Sequence, residues 1–232
     1  MHRNGGLHMN GKVELARGFI WAADLTDSEL ERAAQGITER TYNKGAYICH
    51  RGDRLDHWGG IVEGLIKMST IGRSGKAVTF AGLGNGAWFG EGSVIKNEAR
   101  KYDLVALRET RLALMNRPTF LWLFENSIGF NHYLLRQINE RLSQFIATVE
   151  HDRILDSKAR VARNLSWLFN PVLYPGVVKT IEITQDELAL LTGVSRAVTN
   201  RSLGELQDEG LLTVEHGRVT VIDVKKLMLY GD

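Results

Sequence analysis

Near the C-terminal end of the chain, four residues fall on one face of a predicted helix and bear the chemistry to read a DNA duplex. They stand at offsets of zero, one, four and five, which an α-helix brings to one side: Arg196, Ala197, Asn200 and Arg201. A guanidinium can donate two hydrogen bonds to a guanine edge or grip a phosphate, and a carboxamide can pair with adenine. The spacing therefore predicts a recognition helix for the major groove.

The residues before this face supply the signals of a helix-turn-helix. Thr184 is a good N-cap, and Glu187 three residues on completes a capping box for a first helix. Gly193 provides the turn, because glycine adopts the left-handed conformation at little cost. Ser195 then caps the second helix, which we expect to run to about Gly210.

The second helix also has a face that can be buried, and a small hairpin follows it. Thr199, Leu203 and Leu206 stand at offsets of zero, four and seven, opposite the basic face. Residues 212–215 and 218–222 are β-rich runs around a His-Gly pair and predict a wing. The alternative is an ordinary helical hairpin with surface arginines; the added wing favours DNA binding.

Charge and length limit how such a protein could bind nucleic acid. The chain has 232 residues, enough for one large domain or two ordinary ones. Its formal net charge is only +2, so affinity for DNA must come from a local patch rather than from the whole surface.

Other features of the sequence indicate the compartment. No apolar run is long enough to span a bilayer, so we expect no membrane partner and a cytoplasmic location. Residues 1–18 begin polar and glycine-rich without a signal-peptide core, which predicts a poorly ordered leader. The single cysteine, Cys49, excludes an internal disulfide and is expected to be a small core residue.

Between residues 41 and 116, short β-branched and aromatic runs alternate with glycine turns. This pattern predicts an antiparallel sandwich or jelly roll. An amphipathic helix over residues 22–36, capped near Asp24 or Thr26, precedes it. The fold class is therefore α+β, with strands expected at residues 46–50, 58–62, 64–71, 77–83, 87–89, 102–106 and 111–115.

A long helix is predicted over residues 128–151, after a short one over 119–124 that Pro118 opens. Its apolar residues are spaced three, four, three and four, as in a coiled-coil seam: Leu135, Ile138, Leu142, Phe145 and Val149. The seam could pack against the chain's own sandwich. Its polar flanks favour a second copy of the chain, so we expect a homodimer.

These elements divide the chain into four segments. The leader covers residues 1–18, the β-rich sensor domain residues 19–125, the dimerisation helix residues 126–152, and the winged helix-turn-helix domain residues 153–232. Asp156 can cap the first helix of the last domain, predicted over residues 157–169.

The order of sandwich, long helix and winged helix-turn-helix resembles the cyclic-AMP receptor protein and FNR family of bacterial transcription regulators. The resemblance covers about residues 39–221 and implies an effector-controlled, non-enzymatic homodimer that binds a palindromic operator and contacts RNA polymerase. The motifs that carry it are His50-Arg51-Gly52-Asp53, Val62-Glu63-Gly64, Gly86-Ala87-Trp88-Phe89-Gly90-Glu91, Leu155-Asp156, and Ser195-Arg196 with Arg201.

A candidate effector site lies where Gly90, Glu91 and Gly92 end a strand and open a short helix. Free backbone N–H groups at such a turn attract anions, and Glu91 could accept from a sugar hydroxyl. Arg100, nine residues on, could return to pair with a phosphate or carboxylate. Alternatively, Glu91 caps the helix and pairs with Arg100 without a ligand.

Comparison with the family's cyclic-AMP binders makes that nucleotide a disfavoured effector. Lys101 and Tyr102 follow the arginine where a small hydroxyl residue is usual, and Phe145 and Ile146 replace adenine-binding hydroxyls. A buried adenine amine facing them would lose hydrogen bonds worth about 1–3 kcal/mol each. A small anionic or aromatic effector fits better.

Metal chemistry is a further alternative that the sequence does not favour. The seven histidines lack the spacing of haem ligands, and His50 and His57 lack the H-x-H pattern of a cupin-type metalloenzyme. We therefore expect no metal site and no resident cofactor.

The resemblance also assigns roles on the DNA face. Ala197 stands where the family often has a glutamate and cannot accept from a cytosine amine, whereas Asn200 could read adenine, so the operator should differ from the usual half-site. Ser195 belongs to the matching recognition-helix motif. Phosphate contacts that position the domain are expected from Thr184, Gln185 and Arg218.

Overall fold

The computed structural model describes residues 4–73, 75, 77–177 and 179–231, with side chains from residue 10 onward. The described residues form nine α-helices and eleven β-strands. The helices are α1 Asn4–Arg17, α2 Asp27–Gln35, α3 Glu91–Lys96, α4 Arg117–Asn126, α5 Ile128–Ile154, α6 Ser157–Trp167, α7 Gln185–Thr192, α8 Arg196–Asp208 and α9 Val224–Met228. The strands are β1 Ile37–Tyr42, β2 Tyr47–Cys49, β3 His57–Glu63, β4 Ile66–Ile71, β5 Ala77–Leu83, β6 Trp88–Phe89, β7 Asp103–Ala106, β8 Thr110–Asn116, β9 Thr180–Glu182, β10 Leu212–Glu215 and β11 Arg218–Val221.

The N-terminal segment differs from the poorly ordered leader that the sequence predicts. Residues 4–17 form α1, and Ala16 at its C-terminal end is fully buried in the aromatic core below it. Residues 1–3 lie outside the described part of the chain. Burial of its last turn stabilises this helix, a tertiary contact that its polar, glycine-rich start does not indicate.

The predicted helix over residues 22–36 is split in two. A short 3-10 turn, Ile20–Asp24, is followed by α2. The break falls at Thr26, whose extended backbone begins the new helix. Glu29 accepts a hydrogen bond from the Thr26 backbone N–H at 2.7 Å, and the Thr26 hydroxyl accepts from the Glu29 N–H at 3.3 Å, which completes a capping box.

Two four-stranded antiparallel sheets form the predicted jelly roll. Their strand orders are β1-β8-β3-β6 and β2-β7-β4-β5, and a core of buried apolar residues fills the space between them. Strand β1 was not predicted. It is an edge strand in which only the end residues, Ile37 and Tyr42, are buried, so its four exposed middle residues show no alternation of apolar and polar residues.

A cluster of aromatic rings joins the sandwich to the helices at its end. Trp58 and Trp88 lie with ring centroids 3.9 Å apart, and Trp21 meets both at 5.9 and 5.5 Å. Phe130, near the start of α5, packs edge-on against Trp58 at 5.3 Å. This cluster holds the long helix against the sheet that carries β3 and β6.

Helix α5 confirms the long helix of the prediction and extends it to Ile154. Four of the five predicted seam residues are large exposed apolar side chains: Leu135, Ile138, Leu142 and Val149. Phe145 corrects the prediction, because it is half-buried and packs against the sandwich core. Ile146 takes the exposed position beside the seam instead.

The C-terminal domain has the predicted architecture. Asp156 caps α6, Thr184 and Glu187 form a capping box at α7, Gly193 ends α7 in the left-handed conformation with φ 67°, and Ser195 caps α8. Strands β10 and β11 pair as the wing, and β9 joins them in a three-stranded sheet. The predicted inner face of α8 is buried: Thr199, Leu203 and Leu206.

The two domains share apolar residues at their junction. Leu173 and Tyr174, from the loop between α6 and β9, lie in the core of the sandwich, whereas Leu65 and Leu107 of the sandwich lie in the C-terminal core. Strand β5 meets α7 so closely that a Cβ on Gly82 would stand 2.5 Å from the Leu191 side chain. The C-terminal domain is therefore docked on the β-rich domain.

Candidate effector pocket and DNA-binding face

The turn from β6 into α3 depends on a glycine. Gly90 caps α3 with φ 95°, and a Cβ there would stand 2.2 Å from Nη1 of Arg100. Both the backbone conformation and the close approach of the guanidinium penalise a larger residue. The turn thus presents Glu91 and Gly92 at the start of α3, as the sequence predicts.

Arg100 lies behind this turn rather than in a pocket. It is only 1% exposed, and its Nη2 donates to the backbone oxygens of His57 at 2.9 Å and Leu55 at 3.4 Å. Its Nε and Nη1 are buried without a hydrogen-bond partner, so the contact between Arg100 and an effector stays a prediction. Backbone carbonyls near the start of β3 hold its guanidinium, and among the described residues no hydrogen bond or ion pair joins it to Glu91.

A cavity of about 610 Å³ lies between the sandwich and α5. Six of the eight residues predicted to bind an effector line it: Gly90, Glu91, Gly92, Lys101, Tyr102 and Phe145. Arg100 and Ile146 do not line it. Ile146 is 61% exposed on the outer side of α5, because one residue of a helix turns a side chain by about 100° away from its neighbour Phe145.

Most of the cavity wall is apolar. Met68 of β4 and Phe80 of β5 form one side, Phe89 lies at the end of β6, and Phe145 faces them from α5. Ile138 and Leu142 of the exposed seam complete the wall on the α5 side. The cavity is therefore suited to an aromatic or aliphatic body.

Arg141 is a site residue that the sequence analysis missed. Its Nη2 donates to the backbone oxygen of Trp88 at 3.2 Å, beside a 2.6 Å hydrogen bond from Gln137 to the same oxygen. Its Nη1 is buried without a hydrogen-bond partner, and so is Oε2 of Glu91 across the cavity lining. A buried cationic donor and a buried anionic acceptor are thus left for a ligand.

Further charges stand around the cavity. Lys96 and Lys101 both approach Glu98, at 2.5 and 3.4 Å, and all three line the opening. Burial raises the pKa of Tyr102, against the opposing effect of the Arg100 charge, so its phenol stays protonated at neutral pH. Tyr102 therefore offers a neutral hydroxyl to the cavity.

The predicted DNA-binding residues lie together on the surface of the C-terminal domain. Seven of the eight predicted residues are exposed: Thr184, Ser195, Arg196, Ala197, Asn200, Arg201 and Arg218. The eighth, Gln185, is half-buried. Their contacts with DNA stay predictions.

Several of these side chains are held by neighbours before any DNA binds. Gln185 donates to Oδ1 of Asn200 at 2.9 Å, which braces α7 against α8. Arg196 approaches Asp186 at 3.3 Å, and Arg218 approaches Glu182 at 3.1 Å. These exposed ion pairs are weak, so a phosphate or a guanine edge can displace the carboxylates.

Two other properties bear on the alternatives. Within the described ranges, no three or more His, Cys, Asp or Glu side chains are grouped so that they could hold a metal ion. No helix of the described chain is both long enough and apolar enough to cross a membrane.

Comparison with known proteins finds a matching family model for each of the two domains. Residues 39–127 match the family model of the cyclic nucleotide-binding domain, and residues 159–230 match that of the Crp-like helix-turn-helix domain. The cyclic AMP receptor protein of Thermus thermophilus is 28% identical over 197 residues, which cover 85% of this chain and 89% of that protein.

Other relatives agree in sequence and fold. Transcriptional regulator SdrP of Thermus thermophilus is 29% identical over 173 residues, covering 72% of this chain and 80% of SdrP. The structure of FixK2 from Bradyrhizobium japonicum has the same fold, with a TM-score of 0.67 at 15% identity over 82% of this chain and 95% of that one. With both domains matched in this order, the chain belongs to the Crp/Fnr family of transcription regulators.

Proposed function

We propose that this regulator acts as a homodimer on a palindromic operator, and that a small organic anion in the cavity beside α5 controls it. The observation that carries the proposal concerns Ile138 and Leu142. Both line the cavity, and both are exposed on the predicted dimer seam, at 42% and 56%. A ligand in the cavity therefore touches side chains that a second α5 would cover.

The polar groups of the cavity support an anion with a hydrogen-bond donor. The unpartnered Nη1 of Arg141 suits a carboxylate or phosphate, and the unpartnered Oε2 of Glu91 suits a hydroxyl or amine. Lys96 and Lys101 also line the cavity with their shared partner Glu98, and these three residues together carry one net positive charge. Because the walls are apolar, the body of the effector should be aromatic or aliphatic.

Cyclic AMP is the second candidate. The Gly90-Glu91 turn at the cavity and the similarity to the cyclic AMP receptor protein of Thermus thermophilus favour it. Against it, Arg100 does not line the cavity, and Phe145 offers the base no hydrogen bond. We therefore favour an anion less polar than cyclic AMP as the effector.

On the DNA side, two recognition helices related by a two-fold axis would read half-sites about 34 Å apart. Arg196 and Arg201 supply the contacts to guanine or phosphate, and Asn200 the contact to adenine. Occupancy of the cavity would change how the two α5 helices pack and hence the spacing of the recognition helices. Action on transcription would then proceed through RNA polymerase.

The DNA-binding part is tested with a duplex selected from a random pool by the full-length protein. Arg196→Ala and Arg201→Ala should each weaken binding about 5–150-fold, corresponding to about 1–3 kcal/mol. Arg54→Ala, which removes an exposed arginine of the sandwich, should leave the affinity unchanged. Selection of a palindrome supports the dimer. Unchanged affinity in both helix variants would exclude this face as the reader.

The effector part is tested by mass spectrometry of small molecules released from protein purified without added nucleotide. Calorimetry with the released compound and with cyclic AMP then compares wild type with Arg141→Gln and the control Arg54→Gln. We expect an amphipathic anion whose affinity falls at least tenfold in Arg141→Gln alone. Tight binding of cyclic AMP that does not depend on Arg141 would reject the proposed class.

A further inference from the structure

A loop of the DNA-binding domain inserts one tyrosine between strand β5 and helix α5. Tyr174 follows α6 and is 1% exposed in the sandwich core, beside Leu173. Asn170 shapes the loop: its Oδ1 accepts from the N–H groups of Val172 and Leu173 at 3.0 and 2.9 Å. Its Nδ2 donates to Glu140 of α5 at 2.9 Å, so the loop is tied to the long helix.

The hydroxyl of Tyr174 bridges two elements of the sensor half. It donates to the backbone oxygen of Gly82 on β5 at 2.7 Å and accepts from Nε2 of Gln144 on α5 at 3.4 Å. Both hydrogen bonds are buried. One oxygen atom of the C-terminal domain therefore contacts the strand and the helix at once.

The same strand and helix form facing walls of the cavity. Phe80 stands two residues before Gly82 on β5, and Phe145 is the neighbour of Gln144 on α5; both line the cavity. A molecule that displaces the backbone at either phenylalanine acts within two residues of a group that the Tyr174 hydroxyl contacts.

Two features indicate where this junction is weakest and where it meets the C-terminal domain. The Gln144–Tyr174 hydrogen bond is long, and Oε1 of Gln144 is buried without a partner, so the amide is only partly satisfied. On the other side of the junction, Gly82 lies against Leu191 of α7, which carries motion of β5 into the helix-turn-helix.

We propose that Tyr174 is a positioning residue that couples the cavity to α7 through its hydroxyl. The inference rests on the proposed function, since it takes the cavity to be the effector site. A small separation of β5 from α5 breaks the bridge to Gln144 and leaves the loop attached to β5 alone. Helix α7 then moves together with β5, and this movement changes the orientation of α8.

The test uses the full-length protein and a pocket-filling substitution as the probe of occupancy. Phe80→Trp enlarges a wall residue. Tyr174→Phe removes the bridging oxygen and keeps the ring, and Tyr230→Phe removes a hydroxyl that donates to Glu209 within the same domain. Hydrogen exchange of the α7 backbone amides, read by mass spectrometry, reports the docking of the helix without DNA.

We expect Phe80→Trp to change α7 exchange rates about fivefold or more in the wild-type and Tyr230→Phe backgrounds, and less than about twofold in Tyr174→Phe. Gln144→Leu removes the same bridge from α5 and should reproduce Tyr174→Phe, which covers the case in which that variant folds poorly. An equal change in all backgrounds, or no change in wild type, would overturn the coupling.

The proposed function fails in a different way. If no operator is selected, or no anion is bound, the proposed function is wrong. The hydrogen-exchange measurement on α7 still tests the role of Tyr174. If operator and effector bind as proposed while exchange in Tyr174→Phe responds like wild type, only the coupling role is lost.

Discussion

The guanidinium of Arg108 and the carboxylate of Glu187 are joined by two hydrogen bonds across the junction of the two domains. Nε donates to Oε1 at 3.2 Å and Nη2 to Oε2 at 2.7 Å. The same Oε2 accepts from the backbone N–H of Thr184 at 2.7 Å, which caps α7. One carboxylate therefore caps the first helix of the helix-turn-helix and docks it on the sensor domain.

Loss of the Arg108 side chain should destabilise the docked protein. In Arg108→Ala the Glu187 carboxylate, whose side chain is only 10% exposed, keeps its cap but loses two charged hydrogen bonds. We expect the free energy of unfolding in urea to fall by about 1–3 kcal/mol. Arg111→Ala removes the 2.7 Å pair with Glu39, which is nearly half exposed, and should cost under about 1 kcal/mol. Equal losses would contradict the assigned role of Arg108.

The role of Gly90 in the turn before α3 can be tested with Gly45 as the control position. Both have positive φ, 95° and 82°, but a Cβ on Gly45 meets nothing within 4 Å, whereas one on Gly90 meets the Arg100 guanidinium. Backbone strain should cost both alanine variants about 1–2 kcal/mol. Gly90→Ala should lose at least about 1 kcal/mol more, because Arg100 must move from its carbonyl partners. Thermal unfolding measures both, and equal shifts would exclude the clash.

The dimer seam can be tested without touching the cavity. Leu135 is 59% exposed on the seam and does not line the cavity, so Leu135→Glu should introduce charge repulsion across a two-fold interface. We expect analytical ultracentrifugation to show at least a tenfold weaker dimer. Ser143→Glu, on an exposed position of α5 away from the seam, is the control. A monomeric wild-type protein would refute the seam as a dimer interface.

The thiol of Cys49 should make stability fall in alkaline solution. Burial raises the pKa of Cys49 to about 11, with nearby Arg100 acting in the opposite direction. Between the ordinary thiol pKa and 11, the unfolded chain loses this proton while the folded chain keeps it, so stability is full below that window and declines as pH rises through it. Urea unfolding from pH 8 to 11 should show a steeper decline in wild type than in Cys49→Ala. Parallel curves would mean that the folded thiol titrates normally.

Local signals accounted for most elements of the C-terminal domain. Each of the capping residues Asp156, Thr184 and Ser195 accepts a hydrogen bond from the backbone N–H three residues further on. Short stretches of sequence are therefore enough to predict these caps. Strand β5 was predicted over the residues it occupies, because turns bound its apolar run. Family membership followed from the order of these elements.

The faces of α5 were harder to predict. Gln137, Arg141 and Gln144 stand off the seam as polar residues, a pattern typical of a solvent-exposed flank, yet all three are buried against the sandwich. Their partners include the Trp88 oxygen, about 50 residues away along the chain, and the Tyr174 hydroxyl from another domain. No local pattern encodes such contacts.

The sequence alone determined the kinds of elements, their caps and turns, and the arginine face of α8, because periodicity and capping are properties of neighbouring residues. Only the tertiary structure decided that Arg141 lines the cavity while Arg100 does not, and that Tyr174 joins two domains. Each of these depends on which distant carbonyl or hydroxyl the folded chain brings within hydrogen-bond distance. A helix can show two faces fit for burial, and packing alone selects which one meets the sandwich and which stays exposed.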